Sequence, residues 1–314
     1  MKAFFATAYG GPEVMRLGDL PEPVPRAGEV LVAVRAASVN PVDWKVRQGA
    51  ARILGGKFPR VLGTDFAGTV AAPGPGGSGL AAGAAVYGTT RMMLGAQGCQ
   101  AERVAVPARR VAPMPPGLSF EEAAALPVAG LTALNGLRRC GDLRGKAVLV
   151  VGATGGVGHL ALQIARARGA VVTAVCSGPN AGRARALGAA EVIDYRQEEP
   201  TRGDRRWDVI FDAHAGLAFG AASRVLSARG VYATTIPGPA VVLRLLWQRL
   251  AGGKQLVLAN LRDRPEDYAE LARLLASGAV KPVVARVFPL EQAADAYAAL
   301  ESGGAVGKVI IRVA

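Results

Sequence analysis

Ala147 to Gly158, AVLVVGATGGVG, decides the fold. Val148, Leu149, Val150 and Val151 form the short apolar run of a parallel strand covered on both faces. Gly152, Gly155 and Gly158 then permit a tight turn, close approach of backbone to a pyrophosphate, and close packing of the next helix on the sheet. That helix, from about Val157 to Arg168, aims its free N–H groups at the same place. Turns collect glycine for other reasons, so the triplet alone decides little. The following run, Ala170 to Cys176 (AVVTAVC), completes a strand, turn, helix, strand unit, which reads as a dinucleotide-binding element.

The end of the second strand bears on the nucleotide. In NAD sites an Asp or Glu there accepts hydrogen bonds from the adenosine ribose. Here the sequence runs Cys176, Ser177, Gly178, Pro179, Asn180, with Arg183 and Arg185 close behind and no acid. Hydroxyl, amide and guanidinium groups bind a 2′-phosphate that a carboxylate would repel, so NADP(H) is the expected cofactor. The alternative for the two arginines is a solvated helix face.

The chain has 314 residues, half of them hydrophobic, which fits about two domains with sizeable cores. Its N-terminus, MKAFFATAYGG, carries one lysine and too short an apolar run for a secretory signal, and reads as a first strand. No uncharged apolar stretch is long enough to span a membrane. Cys99, Cys140 and Cys176 are too few and scattered for a disulfide framework or a cysteine-rich zinc lobe, so a reducing cytoplasm is expected. The formal charge of +13 raises the question of nucleic acid or anionic surfaces. The arginines are dispersed, however, and the densest cluster, Arg202 to Arg206, lacks interleaved aromatic side chains. Compositional bias and attraction for a polyanionic cofactor account for the charge better than nucleic acid binding as the main function.

Residues 1 to about 110 carry β-branched runs broken by Pro and Gly: Glu29 to Ala36, Gly68 to Ala72, Ala84 to Tyr87 and Ala101 to Val106. They read as a small, mostly antiparallel barrel. Pro73 to Gly83 is a surface loop by composition. Ser119 and Glu122 make a capping box for a helix through Ala125. Strand and helix then alternate through Val192-Ile193, Trp207 to Asp212, Gly230 to Thr235 and Gln255 to Ala259, the pattern of a doubly wound sheet. A helix over Pro265 to Ala276 follows, and Val283 to Phe288 and Lys308 to Val313 read as strands returning to the first domain.

Taken together, SVNPVDWKVRQG (Ser38 to Gly49), FPRVLGTDFAGTV (Phe58 to Val70), ALPVAGLTALNGL (Ala125 to Leu137), the glycine turn, LGAAEVIDY (Leu187 to Tyr195) and the closing GKVIIRV resemble the medium-chain dehydrogenase/reductase superfamily, in its zinc-independent quinone and enoyl reductase branch. The resemblance covers essentially the whole chain. It implies an α/β protein: a GroES-like β-barrel catalytic domain, residues 1–126 completed by 261–314, and a doubly wound Rossmann NADP-binding domain, residues 127–260. The active site of such proteins lies in the cleft between the two. Zinc alcohol dehydrogenases of the superfamily need a catalytic Cys, a His-Glu pair and a second Cys or acid. This chain has Asp43, Thr64 and Asp65 where the first ligands would fall, and its two histidines, His159 and His214, lie in the cofactor section, so no metal site is expected.

The resemblance also implies roles. Lys45, in the pattern Asn-Pro-x-Asp-x-Lys, would stand near the nicotinamide as a hydrogen-bond or proton donor; the alternative is a surface lysine. Asn40 would line the cofactor cleft. Thr132 would touch the cofactor phosphate or nicotinamide ribose, beside the turn residues Gly152, Thr154, Gly155, Gly156, Val157 and Gly158. Ser177, Asn180, Arg183 and Tyr195 would hold the 2′-phosphate, with ordinary core as the alternative for Tyr195. Backbone at Ala213, Ile236, Asn260 and Leu261 would flank the nicotinamide, and Lys308 would close the cleft. Trp44 is either a substrate wall or core, and Asp43 and Arg47 have the spacing of an i,i+4 pair. His159 reads as packing or capping; His214 reads as structural, or as a neighbour of the nicotinamide. Val241 to Leu250 reads as a helix at the substrate mouth or a subunit contact, with a membrane surface as the alternative, and Trp247 on it as part of an apolar pocket.

Without a metal, the accessible hydride chemistry is addition to a quinone or to the β-carbon of an α,β-unsaturated carbonyl. The expected activity is therefore NADPH-dependent reduction of such small apolar electrophiles, and the resemblance implies a homodimer. A reductase of carrier- or coenzyme-A-bound enoyl groups, and a cofactor-binding regulator with little turnover, are the alternatives.

Overall fold

A computed structural model of the chain describes residues 1–50, 52, 57–77, 79–90, 92–214, 216–236, 238, 241, 245 and 253–314. They form two compact units: Met1–Val128 with Asp263–Tyr268 and Pro282–Ala314, and Ala129–Arg262 with Ala269–Lys281.

The first unit begins with β1 (Lys2–Ala6), which pairs antiparallel with β2 (Met15–Asp19). β3 (Glu29–Ser38) is ten residues long and pairs with three other strands, and Val30, Val32 and Val34, alternate residues on one face, are buried in a core with Phe66, Val86 and Val104. Helix α1 (Pro41–Arg47) follows, then β4 (Arg60–Val61) against β1, and the antiparallel strands β5 (Asp65–Pro73), β6 (Ala85–Thr89), β7 (Arg103–Pro107) and β8 (Val111–Pro113). Helix α2 (Phe120–Ala124) starts on the expected capping box: Glu122 N–H donates to Ser119 Oγ at 3.2 Å, and Ser119 N–H to Glu122 Oε2 at 2.8 Å.

After α3 (Pro127–Arg138), the second unit runs β9 (Ala147–Val151), α4 (Gly158–Ala167), β10 (Val171–Cys176), α5 (Ala181–Ala186), β11 (Glu191–Asp194), β12 (Trp207–Asp212), α6 (Phe219–Val225), β13 (Leu226–Thr234) and β14 (Gln255–Leu258). The six strands are parallel in the order β11-β10-β9-β12-β13-β14. The chain builds outward from β9 in one direction, then returns and builds outward in the other. Such a reversal leaves a crevice at the carboxyl ends of β9 and β12, the place where doubly wound sheets take their ligands.

Helix α7 (Pro265–Ala276) divides between the units. Its start stays with the first because Asp263 accepts a hydrogen bond from Tyr268 at 2.9 Å and pairs with Arg110 at 2.8 Å. Residues Ala269–Lys281, expected in the first domain, cluster with the second. Leu271 is buried against the bare backbone of Gly130, and Glu270 pairs with Arg168 at 2.7 Å and with Arg138. The chain ends its course in the first unit with β15 (Val284–Pro289), α8 (Ala293–Glu301) and β16 (Lys308–Arg312). β16 pairs parallel with β15 and antiparallel with β3, completing a mostly antiparallel seven-stranded sheet.

Candidate functional site

At the carboxyl end of β9 the backbone turns through Gly152, whose φ of +69° lies in the left-handed region that favours glycine. Gly158 has no room for a side chain: a Cβ there would lie 2.0 Å from the carbonyl oxygen of Gly152. The turn is braced from within by Gly155 N–H to Gly152 O at 3.0 Å, and by the buried His159, whose Nδ1 stands 2.9 Å from Gly155 O. Among the described residues, no protein acceptor takes the N–H groups of Gly156 and Val157, which precede α4. A bare-backbone concavity with unpaired donors at a helix start fits a pyrophosphate.

The other expected nucleotide residues of this unit mostly follow the ends of parallel strands. Ser177 and Asn180 follow β10, with Asn180 Nδ2 donating to Ser177 Oγ at 3.1 Å, and Arg183 is exposed on α5. Tyr195 follows β11 and is 54% exposed with the Arg196 guanidinium over its ring, so it is not core. Ala213 follows β12 and donates its N–H to Val151 O at 3.1 Å. Ile236 follows β13 and is exposed; Asn260 and Leu261 follow β14. Thr154 in the turn and Thr132 on α3 are both buried. Trp247 lies outside the described residues, as does most of the Val241 to Leu250 segment.

One expectation is corrected here. The end of β10 is not free of acid: Cys176 pairs in register with Asp194, and the Asp194 carboxylate would stand 2.6 Å from a Cβ on Gly178. Asp194 is distant from Ser177 in sequence, and only strand pairing puts it there.

In the first unit, α1 divides its residues by face. Lys45 is exposed, Trp44 is half-buried on a core that includes Phe4, Val46 and Leu62, and Asp43 and Arg47 point inward. The last two do not pair. Arg47 reaches Glu301 at 3.2 Å and Gly10 O at 3.2 Å, and lies over the Tyr297 ring. Asp43 accepts from Thr64 Oγ1 at 2.7 Å and from Asn40 N–H at 2.8 Å. Burial pushes the Asp43 carboxyl up to about 7, with those two hydrogen bonds opposing and the neighbouring Asp65 adding to the rise.

Asn40 and Lys308, both expected at the cofactor, are bonded to each other and to Asp65 within this unit. Asn40 Nδ2 donates to Asp65 Oδ2 at 3.0 Å, and its Oδ1 accepts from the Lys308 ammonium, which also pairs with Asp65 at 3.3 Å. Ser38 Oγ and the backbone N–H of Val128 complete the shell of Asp65 at 2.7 and 2.8 Å. Asp65 is thus the hub of a buried polar network, a role that its sequence position alone does not reveal. A buried carboxylate needs such partners, and here four of them come from three separate stretches of chain.

Two family models match the chain. Residues 26–116 match the family model described as Alcohol dehydrogenase GroES-like domain, and residues 187–311 match the model described as Zinc-binding dehydrogenase. A chloroplast envelope quinone oxidoreductase homolog of Arabidopsis thaliana is 34% identical, over 99% of this chain and 98% of its own. A chloroplastic NADPH-dependent alkenal/one oxidoreductase of the same plant is 34% identical, over 99% of this chain and 79% of its own. The solved quinone oxidoreductase of Coxiella burnetii superposes with a TM-score of 0.91 at 29% identity, covering 100% of this chain and 99% of its own. The second model's description names zinc. Among the described residues no three His, Cys, Asp or Glu side chains gather to hold a metal ion, and the cation beside Asp65 is the Lys308 ammonium.

Proposed function

The chain belongs to the medium-chain dehydrogenase/reductase superfamily, in its quinone oxidoreductase and enoyl reductase branch, and from that premise we propose that it is a zinc-independent, NADPH-dependent reductase of quinones or α,β-unsaturated carbonyls. The observation that carries the proposal is the glycine turn with its unpaired N–H groups at the crevice of the parallel sheet, in a chain whose relatives reduce quinones and alkenals by name. Ser177, Asn180, Arg183 and Tyr195, grouped at the ends of β10 and β11, support the phosphorylated nucleotide.

A nicotinamide held there would supply a hydride. As an acceptor takes it, negative charge develops on the acceptor's carbonyl oxygen, and a positioned donor stabilises that charge and delivers the proton. Lys45 is exposed on α1 and carries three donors, which makes it the group we assign to this task. Asp43, two residues earlier and facing inward, ties the first turn of α1 to Thr64 and so fixes the helix that presents Lys45. The network around Asp65 holds Asn40, the residue from which α1 starts.

The test is NADPH consumption with 9,10-phenanthrenequinone, an alkenal and an enoyl thioester, followed by absorbance. Turnover of the quinone or the alkenal is expected, and Lys45→Ala should lower kcat by about 100-fold. Activity on the thioester alone would move the chain to carrier- or coenzyme-A-bound substrates, and oxidation with none of the three would overturn the proposal. Unchanged turnover in the variant would remove Lys45 from the chemistry.

A further inference from the structure

The structure assigns a cofactor contact to His214: we infer that its imidazole donates a hydrogen bond to the central phosphates or the nicotinamide-side ribose of the dinucleotide. The inference rests on the reading that this unit binds such a nucleotide.

The sheet reverses its strand order between β9 and β12, and in open parallel sheets the ligand crosses the crevice outside those two carboxyl ends. Gly152 is the first residue beyond β9, and His214 is the second beyond β12. The two are close neighbours at those carboxyl ends: a Cβ on Gly152 would lie 3.1 Å from the Cβ of His214. The glycine whose left-handed backbone opens the phosphate turn therefore also makes room for the histidine.

The position of His214 is fixed by Asp212, which is fully buried. Its carboxylate accepts the N–H of His214 at 3.1 Å, of Gly216 at 3.2 Å and of Leu217 at 2.9 Å, and the hydroxyl of Tyr232 at 2.8 Å. Four donors on one carboxylate anchor the backbone of His214, Gly216 and Leu217. The His214 imidazole is exposed, and among the described residues neither ring nitrogen has a hydrogen-bond partner. A donor on a residue anchored through Asp212, without a partner among the described residues and beside the glycine that opens the phosphate turn, is matched by a phosphate or a ribose hydroxyl. Asp212 is a positioning residue in this scheme, and His214 the contact.

The test is equilibrium binding, without turnover. NADPH and 2′-AMP are titrated into the intact protein and into His214→Ala and His214→Gln, and unfolding of each protein is recorded without nucleotide. 2′-AMP reports the adenosine end alone. His214→Ala is expected to weaken NADPH about tenfold while leaving 2′-AMP binding and the unfolding midpoint unchanged, and His214→Gln, which keeps an N–H donor, to recover part of the loss. NADPH affinity unchanged in His214→Ala, or an equal loss for both nucleotides, overturns the inference. If the parent protein itself binds no NADPH, the proposed function falls first, so the two failures are told apart.

Discussion

Asp43 couples one buried proton to folding. The native carboxyl holds its proton up to about pH 7, whereas an exposed Asp releases it near 3.8. Between those values the folded chain binds more protons than the unfolded one, so this group makes stability fall as pH rises through the window, and flat above it. Asp43→Asn should remove that slope. Urea unfolding of parent and variant at intervals from about pH 5 to about pH 8 checks it, and parallel profiles would refute it. Asp194 makes the second residue-scale prediction. Its carboxylate beside Gly178 opposes a 2′-phosphate, so Asp194→Asn should raise the ratio of kcat/KM for NADPH over NADH about tenfold. A ratio that stays put would place the carboxylate outside the nucleotide's reach. The glycine turn was legible in sequence because its requirements are local: residues within one turn contact each other. Asp194 was not, because its neighbours Cys176 and Gly178 meet it only through the pairing of β10 with β11.

At the scale of elements, α1 is held by a side chain whose sequence spacing points elsewhere. The i,i+4 spacing of Asp43 and Arg47 matches a helix-surface pair, yet both residues face the interior and each finds a partner on another element. Intrahelical spacing predicts contacts only for side chains left on the surface. Arg47 is fully buried, and its ion pair with Glu301 joins α1 to α8. Arg47→Ala should cost about 3 kcal/mol in urea unfolding, because it empties a fully buried site under the Tyr297 ring and takes the donor from Gly10 O, while the exposed Glu301 carboxylate regains water. A loss below about 1 kcal/mol would show the pair to be incidental. The capping box of α2, by contrast, was readable from Ser119 and Glu122 alone, since both of its bonds close within four residues.

At the scale of the whole molecule, charge is unevenly shared. The nucleotide unit holds twenty Lys and Arg against nine Asp and Glu, a formal +11 of the chain's +13. Such a field draws in a polyanion and is screened by salt. The association rate of NADPH in stopped flow should therefore fall about tenfold from low salt to about 0.3 M, and a flat salt dependence would contradict it. The dispersed arginines hid this partition in the sequence, because it emerges only when the chain is divided into its two units. The return of the chain to the first unit was legible from the apolar runs near Val283 and Lys308. The transfer of Ala269–Lys281 to the second was not, since it depends on Leu271 finding Gly130.

On the ribosome, the place of β16 in the sheet sets an order of events. Asp65 emerges early, but the ammonium that neutralises it follows 243 residues later, and the same strand covers the Ala36–Ser38 edge of β3. The nucleotide unit has all six of its strands in hand before then. The barrel is begun first and closed last, so throughout synthesis its nascent half carries an uncompensated acid and an open strand edge, the surface on which chaperones and misassembly compete.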